Sequence, residues 1–326
     1  MKPYLTAFAS LILMIAAPSH AAELRIGMIG LDTSHAIAFT QLLNDPKNKQ
    51  FIPGGKVVVA FKGGSPDIES SWSRVEAYTR QLETEFQVKI VPSIEELCAQ
   101  VDAVMIESVD GRPHLEQARA VFKAHKPVFI DKPIAGTLRD AIEIFRLAKE
   151  NNVPCFTASA YRYYDEMRAL LKTDVGRIRS AISYGPSEKE PHHPDFFWYG
   201  IHPTEALFTV LGTGCESVVR TATLETDVVT GVWTDGRTGT LVGLRTGATP
   251  HQVTIFGSKG VAQQKDGGDY APLIRQVVKF FQTGVAPVSA QETLEMFAFM
   301  EAADESKRHG GSPVNLKNVL ERNGWK

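Results

Sequence analysis

The chain reads as α/β: an N-terminal parallel-sheet domain, then a C-terminal α+β domain with a mostly antiparallel sheet. Three observations predict this. From Leu24 to about Ser159, short apolar runs alternate with helical stretches. After Tyr164 the runs become β-rich and are joined by turn signals such as "TDGRTG" at 234–239. The length of 326 residues suits about two domains.

The elements follow in order. "ELRIGMIG" (23–30) is a first strand and "SHAIAFTQLLND" (34–45) a helix. "GKVVVAF" (55–61) is a second strand, "SSWSRVEAYTRQLETEF" (70–86) a helix and "VKIVPS" (88–93) a short strand. "SIEELCAQ" (93–100) is a helix with Ser93 as N-cap and Glu96 three residues on, a capping box. "DAVMIES" (102–108) and "PVFID" (127–131) are strands around the helix "PHLEQARAVFKAH" (113–125). The amphipathic "TLRDAIEIFRLAKENN" (137–152) and the strand "VPCFTASA" (153–160) complete this part. Continuous apolar strands between helices mean a parallel sheet covered on both faces. In the second part the strand runs begin near 177, 217, 227, 238 and 251, with helices near 203–211, 271–283 and 289–309. The domains are read as 22–160 and 161–326, and the cleft between them is the default site.

Composition narrows the function. Hydrophobic residues make up 43% and charged residues 22%, a globular balance, and the net charge of -2 gives no reason to expect a nucleic-acid partner. Cys98, Cys155 and Cys215 are too few and too far apart for a disulfide framework and read as buried apolar residues. Residues 1–21 read as a secretory signal peptide: Lys2, an apolar run from Leu5 to Ala17, then Ser19 and Ala21 at the small-residue cleavage positions. The run is too short to span a bilayer. The protein is therefore expected outside the cytoplasm, periplasmic or secreted, with no membrane span after cleavage.

Four blocks carry a resemblance. They are the βαβ start, "VDAVMIESVDGRPHLEQARAVFKAHKPVFIDKPIA", "YGIHPTEALFTVLG" and "SAQETLEMFAFMEAADES". Together they resemble the glucose–fructose oxidoreductase / inositol dehydrogenase / MocA (Gfo/Idh/MocA) family over nearly the whole mature chain. The resemblance implies a Rossmann-like domain and NAD(P)-dependent oxidoreduction of a sugar- or polyol-like substrate by a homo-oligomer. It implies that Lys132, in Asp131-Lys132-Pro133 where the family usually has Glu-Lys-Pro, binds substrate beside the nicotinamide, with a proline that is often cis. It implies that His202 and Glu205, in a Gly-x-His-x-x-acid pattern, carry substrate and proton. Thr209, one turn on, shares the face of Glu205 but cannot act as an acid or base. Substrate contacts are further expected from Tyr161 and Arg162, and from the loop carrying His192, His193 and Trp198. Adjacent histidines usually diverge, so no metal is assigned.

The cofactor turn departs from the pattern. After Gly30 stand Asp32, Thr33, Ser34 and His35 in place of further glycines. Asp32 could N-cap the helix, where it would meet a pyrophosphate. Lys62 replaces the acid that ends the second strand, which points to NADP over NAD. Glu107 and Asp110 follow the fourth strand, and with Asp32 are expected to crowd the cavity mouth. Gly30, Asp32, Thr33, Ser34, His35, Lys62, Glu107, His114 and Asp131 are taken as the cofactor-site residues. NAD or NADP is then held tightly or not at all. The alternatives to the oxidoreductase are a same-fold glycoside-processing hydrolase or lyase, and a non-catalytic carbohydrate-binding protein.

Overall fold

Six apolar runs become one all-parallel sheet. They are β1 Leu24–Ile29, β2 Gly55–Phe61, β3 Lys89–Ile90, β4 Ala103–Ile106, β5 Val128–Ile130 and β6 Cys155–Phe156. The strand order is β3-β2-β1-β4-β5-β6, with every pair parallel. The computed structural model describes residues 23–264 and 267–325, so the expected signal peptide lies outside the described residues.

The helices between the strands cover both faces. They are α1 Ser34–Asn44, α2 Glu69–Phe86, α3 Ile94–Cys98, α4 His114–Lys123 and α5 Leu138–Glu150. Their starts follow capping chemistry. Ser93 accepts the N–H of Glu96, and Thr137 that of Asp140. Thr33, not Asp32, caps α1, with its hydroxyl accepting from the N–H of His35. In α5 the buried residues Leu138, Ala141, Ile142, Ile144, Phe145 and Ala148 form one stripe at helical spacing.

A 3-10 turn at Ala160–Tyr163 and α6 Asp165–Lys172 lead into the second part. There β7 Ile178–Pro186, α7 Ile201–Leu211, β8 Cys215–Ala222, β9 Thr226–Trp233, β10 Thr238–Leu244, β11 Gln252–Gly257 and β12 Val261–Gln263 precede α8 Ala271–Thr283 and α9 Ala290–Arg308. Then come β13 Val314–Asn315 and α10 Leu316–Arg322. The seven strands run β12-β11-β7-β10-β9-β8-β13. All pairs are antiparallel except β7 with β10, so the sheet is mixed. It alternates in–out, as a sheet with one covered face should. In β9, Val229 and Trp233 are buried, while Val228 and Val232 on the other face are each 41% exposed. Among the described residues no helix is long and apolar enough to cross a membrane.

Candidate active site

A cavity of about 210 Å³ lies beyond the carboxyl ends of the parallel strands, where loops between strand and helix converge. Thr33, Ser34 and His35 bring the amino end of α1 to its wall, and Arg74 of α2 and Val109 after β4 join them. Lys132 enters from the turn after β5, and Ser159, Ala160 and Tyr161 from the segment after β6. Tyr164, Tyr199, His202 and Tyr270 complete the lining. Lys132, His202 and Tyr161, expected from the sequence, thus meet in one place. Arg74, Tyr199 and Tyr270 were not expected. Tyr199 could have been found, since it directly precedes the Gly200–Glu205 block; Arg74 reads as the polar face of a helix.

Lys132 precedes a cis peptide bond to Pro133. Its neighbour Asp131 does not pair with it. Oδ2 of Asp131 lies 2.7 Å from Nδ1 of His35. The Lys132 ammonium has no ion-pair or hydrogen-bond partner among the described residues and stands 5.7 Å from the centre of the Tyr199 ring. It is a cation presented to the cavity.

His202 faces it from the first turn of α7. Its Nδ1 is 2.9 Å from the Ser159 hydroxyl, and the Tyr161 ring packs edge-on at 5.0 Å. Burial, with help from the nearby Lys132 charge, holds the imidazole pKa well below its usual value, so the ring stays neutral. Glu205 is buried one turn along. One of its oxygens accepts the Ser159 N–H at 2.7 Å, and the other accepts from Arg162 Nε at 2.8 Å. Arg162 spends another N–H on Glu292 at 2.5 Å. Burial raises the Glu205 carboxyl above its usual range, and Arg162 and Ser159 offset part of that. Both oxygens being occupied, Glu205 holds Ser159 and hence His202 in place rather than reaching the cavity. Thr209 is turned to its own helix, donating to the Glu205 carbonyl at 2.7 Å.

The three acids expected at the mouth are all buried and do not line the cavity. Asp32 has its donors: the Ser71 hydroxyl at 2.6 Å and the Val109 N–H at 3.1 Å. Asp110 accepts from Ser65 at 2.5 Å and from Arg112 at 2.8 Å. Glu107 has no donor on either oxygen. Burial, reinforced by Asp131 and eased by Lys132, pushes its carboxyl well above the ordinary range. The charge in the sequence was visible; the Ser71, Val109 and Ser65 donors to Asp32 and Asp110 come from loops distant in the chain.

The remaining expected residues lie elsewhere. Lys62 is on the surface, 2.8 Å from Glu76. His114 is buried between the carbonyls of Ser108, at 2.9 Å, and Ile134, at 3.2 Å, and so ties the turn after β4 to the segment after β5. His192 sits against Glu190 at 2.6 Å. Nε2 of His193 stands 2.9 Å from Asp110 without the alignment of a hydrogen bond, and its ring packs on Trp198 at 4.8 Å. His193 thus meets the turn after β4, and of this segment only Tyr199, not His192, His193 or Trp198, lines the cavity.

A dinucleotide can be fitted to these residues in part. The first N–H groups of α1, with Arg74 and Lys132 on the same cavity wall, suit a phosphate next to a nicotinamide ring. On the side where the adenosine half would lie, the turns are tied to one another. A Cβ on Gly30 (φ +87°) would lie 2.3 Å from the Ser108 hydroxyl. Asp32 ties the turn after β1 to Val109, and Ser65 ties the turn after β2 to Asp110. These turns border the crevice at the β1–β4 switch in strand order.

Comparison with known proteins agrees with the fold. Residues 24–159 match the family described as "Oxidoreductase family, NAD-binding Rossmann fold". Inositol 2-dehydrogenase 2 of Saccharopolyspora erythraea is 31% identical over 124 residues, which is 37% of this chain and 34% of that protein. The match thus spans about a third of that relative. A probable dehydrogenase from Thermotoga maritima superposes with a TM-score of 0.74 at 20% identity, covering 91% of this chain and 100% of the other. Scyllo-inositol dehydrogenase from Lactobacillus casei, with bound NAD(H) and scyllo-inositol, gives 0.75 at 16% identity, over 90% of this chain and 99% of that one. At such identities the two structures establish the shared fold. The family match is thus carried by residues 24–159, the parallel-sheet part of the chain.

Proposed function

We propose that the protein is an NAD(P)-dependent oxidoreductase acting on a secondary hydroxyl, or the matching ketone, of a sugar- or polyol-like substrate. The observation that carries this is the unpaired Lys132 ammonium sharing a small polar cavity with a neutral His202. The match of residues 24–159 to an NAD-binding Rossmann family supports the cofactor, and the names of the inositol dehydrogenases the chain is similar to support the substrate class. Thr33, Ser34, His35 and Arg74 would hold the phosphates and Lys132 would border the nicotinamide. When bound, that ring supplies the hydride acceptor or donor.

The chain's own residues do the rest. Lys132 donates a hydrogen bond to the substrate oxygen and favours its deprotonated form. When His202 donates from Nδ1 to Ser159, Nε2 offers a lone pair to the cavity and can take the hydroxyl proton. Glu205 positions the ring indirectly, by holding the Ser159 backbone N–H. The tyrosines at 161, 199 and 270 present flat apolar faces with polar ends, a lining suited to a polyhydroxylated ring.

The closed adenosine crevice favours a second reading, a same-fold hydrolase or lyase that does not exchange a dinucleotide. Export, read from residues 1–21, points the same way, since it removes the protein from the cytoplasmic cofactor pool. The exposed Val228 and Val232 face of the sheet suits pairing with a second copy. Mass spectrometry of protein purified from its native compartment decides between the readings. Bound NAD(H) or NADP(H), or binding on titration, supports the oxidoreductase and tells the two cofactors apart. Absence of bound cofactor together with absence of binding at millimolar concentration overturns it.

A further inference from the structure

Beneath the cavity, His35, Glu107 and Asp131 bring one ligand atom each to within 4.8 Å of one another. All three are buried, and Glu107 is fully so. Neither oxygen of Glu107 meets a donor, nor does Oδ1 of Asp131. The only close polar contact within the group is His35 Nδ1 to Asp131 Oδ2, 2.7 Å. Buried polar atoms are rarely left without a partner, and carboxylate oxygens least of all. Two carboxylates with unpartnered oxygens thus share one buried spot with an imidazole.

We propose that His35, Glu107 and Asp131 bind a single divalent cation under the floor of the cavity. The geometry suits an ion of zinc or manganese size. Bonds of about 2.0–2.2 Å hold ligands roughly 3–3.5 Å apart, so atoms now up to 4.8 Å apart would close by about 1 Å, within the reach of side-chain rotation. One imidazole and two carboxylates make a mixed set of the kind zinc accepts, while oxygen-rich sites also take manganese. Asp131 and His35, now in contact, would become neighbouring ligands. His35 stands on the cavity wall, which gives the ion a way in and leaves an open position for water or a substrate oxygen. Lys132 is the nearby cation and would face the ion from the cavity side. This proposal stands apart from the oxidoreductase reading, since a cation could bind whether or not a dinucleotide does.

The test uses the full mature chain, stripped with a chelator and titrated calorimetrically with zinc(II), and separately with manganese(II). One ion per chain and a cation-dependent rise in melting temperature are expected. Glu107→Gln and Asp131→Asn should each weaken binding by about a hundredfold or more, since loss of even an outer-shell partner costs 10–100-fold. His192→Ala removes a surface histidine beside Glu190 and should bind as the parent does. Absence of binding tighter than about 0.1 mM for both ions, or a Glu107→Gln protein that binds like the parent, overturns the proposal. If neither variant folds, the parent loaded with cobalt(II) decides. Visible bands of a low-coordinate site with one nitrogen support it, and the spectrum of the hydrated ion overturns it.

Discussion

Asp32→Asn separates two accounts of the glycine-poor turn. If Asp32 faced the phosphate site, its charge would oppose a phosphate at ~4 Å by about 4 kcal/mol at an effective dielectric near 20. Removing the charge would then raise dinucleotide affinity about a thousandfold. The structure predicts otherwise. Ser71 accepts the Ser65 N–H at 2.8 Å and donates to Asp32 at 2.6 Å, while Val109 donates to the other oxygen at 3.1 Å. An asparagine must set its NH₂ against either Ser71 or Val109, so one buried donor loses its acceptor. That costs about 1–3 kcal/mol. Burial already raises the Asp32 carboxyl, so removing the charge recovers part of this. The expected result is a net loss of about 2 kcal/mol, read from urea unfolding. Affinity for NAD(H), by calorimetry, should change less than about tenfold. A variant as stable as its parent that binds cofactor a thousandfold tighter would refute the reasoning.

Four more outcomes follow from the same geometry. Lys132→Met should lower turnover about 10²–10⁴-fold while the protein still folds, as checked by steady-state kinetics and circular dichroism. Gly30→Ala would force a Cβ to within 2.3 Å of the Ser108 side chain and 2.4 Å of its N at φ +87°, so unfolding should show a loss of several kcal/mol. Asp110 is favoured by burial to keep its proton, but His193, Arg112 and Ser65 more than offset this and hold its pKa below the usual carboxylate range. A depressed carboxyl contributes stability that is full above the unfolded pKa of about 4 and fades as pH falls below it, so Asp110→Asn should flatten the acid limb of the stability curve between about pH 4 and 2. Ser65→Ala cuts the tie between the turns after β2 and β4 and should raise NAD(H) affinity about tenfold by calorimetry, if those turns must part for adenosine.

The elements that could be read were those whose own residues carry the signal. β2 was bounded to the residue, and α5 lies within the expected stretch with Thr137 as its cap. The elements not anticipated are α6, β12, β13 and α10. Each is too short for a periodic pattern, and β12 and β13 exist only because a strand already in the sheet offers them an edge. The parallel pairing of β7 with β10 was equally invisible, since strand direction depends on α7 crossing between them. For the site, the sequence located groups that project from strand ends and helix starts: Lys132, His202, Tyr161 and the first turn of α1. It misjudged Asp32, Glu107 and Asp110 for one reason. Charge is written in the sequence, but burial is set by loop packing, which gives Asp32 and Asp110 their Ser71, Val109, Ser65 and Arg112 donors and leaves Glu107 with none.

The acids in the turns bear on cofactor use through closure rather than repulsion. Asp32 and Asp110 are fasteners: one joins the turn after β1 to that after β4, the other the turn after β2 to that after β4. For an adenosine to enter between these turns, both fasteners must open. Hydrogen bonds to charged groups are each worth about 1.5–3 kcal/mol, so opening costs roughly 3–6 kcal/mol. The open form would then be about one molecule in 10² to 10⁴, and apparent affinity would fall by that factor. A dinucleotide loaded during folding, before the turns close, would meet no such cost and would then leave slowly. The arrangement therefore favours a retained cofactor over an exchanging one.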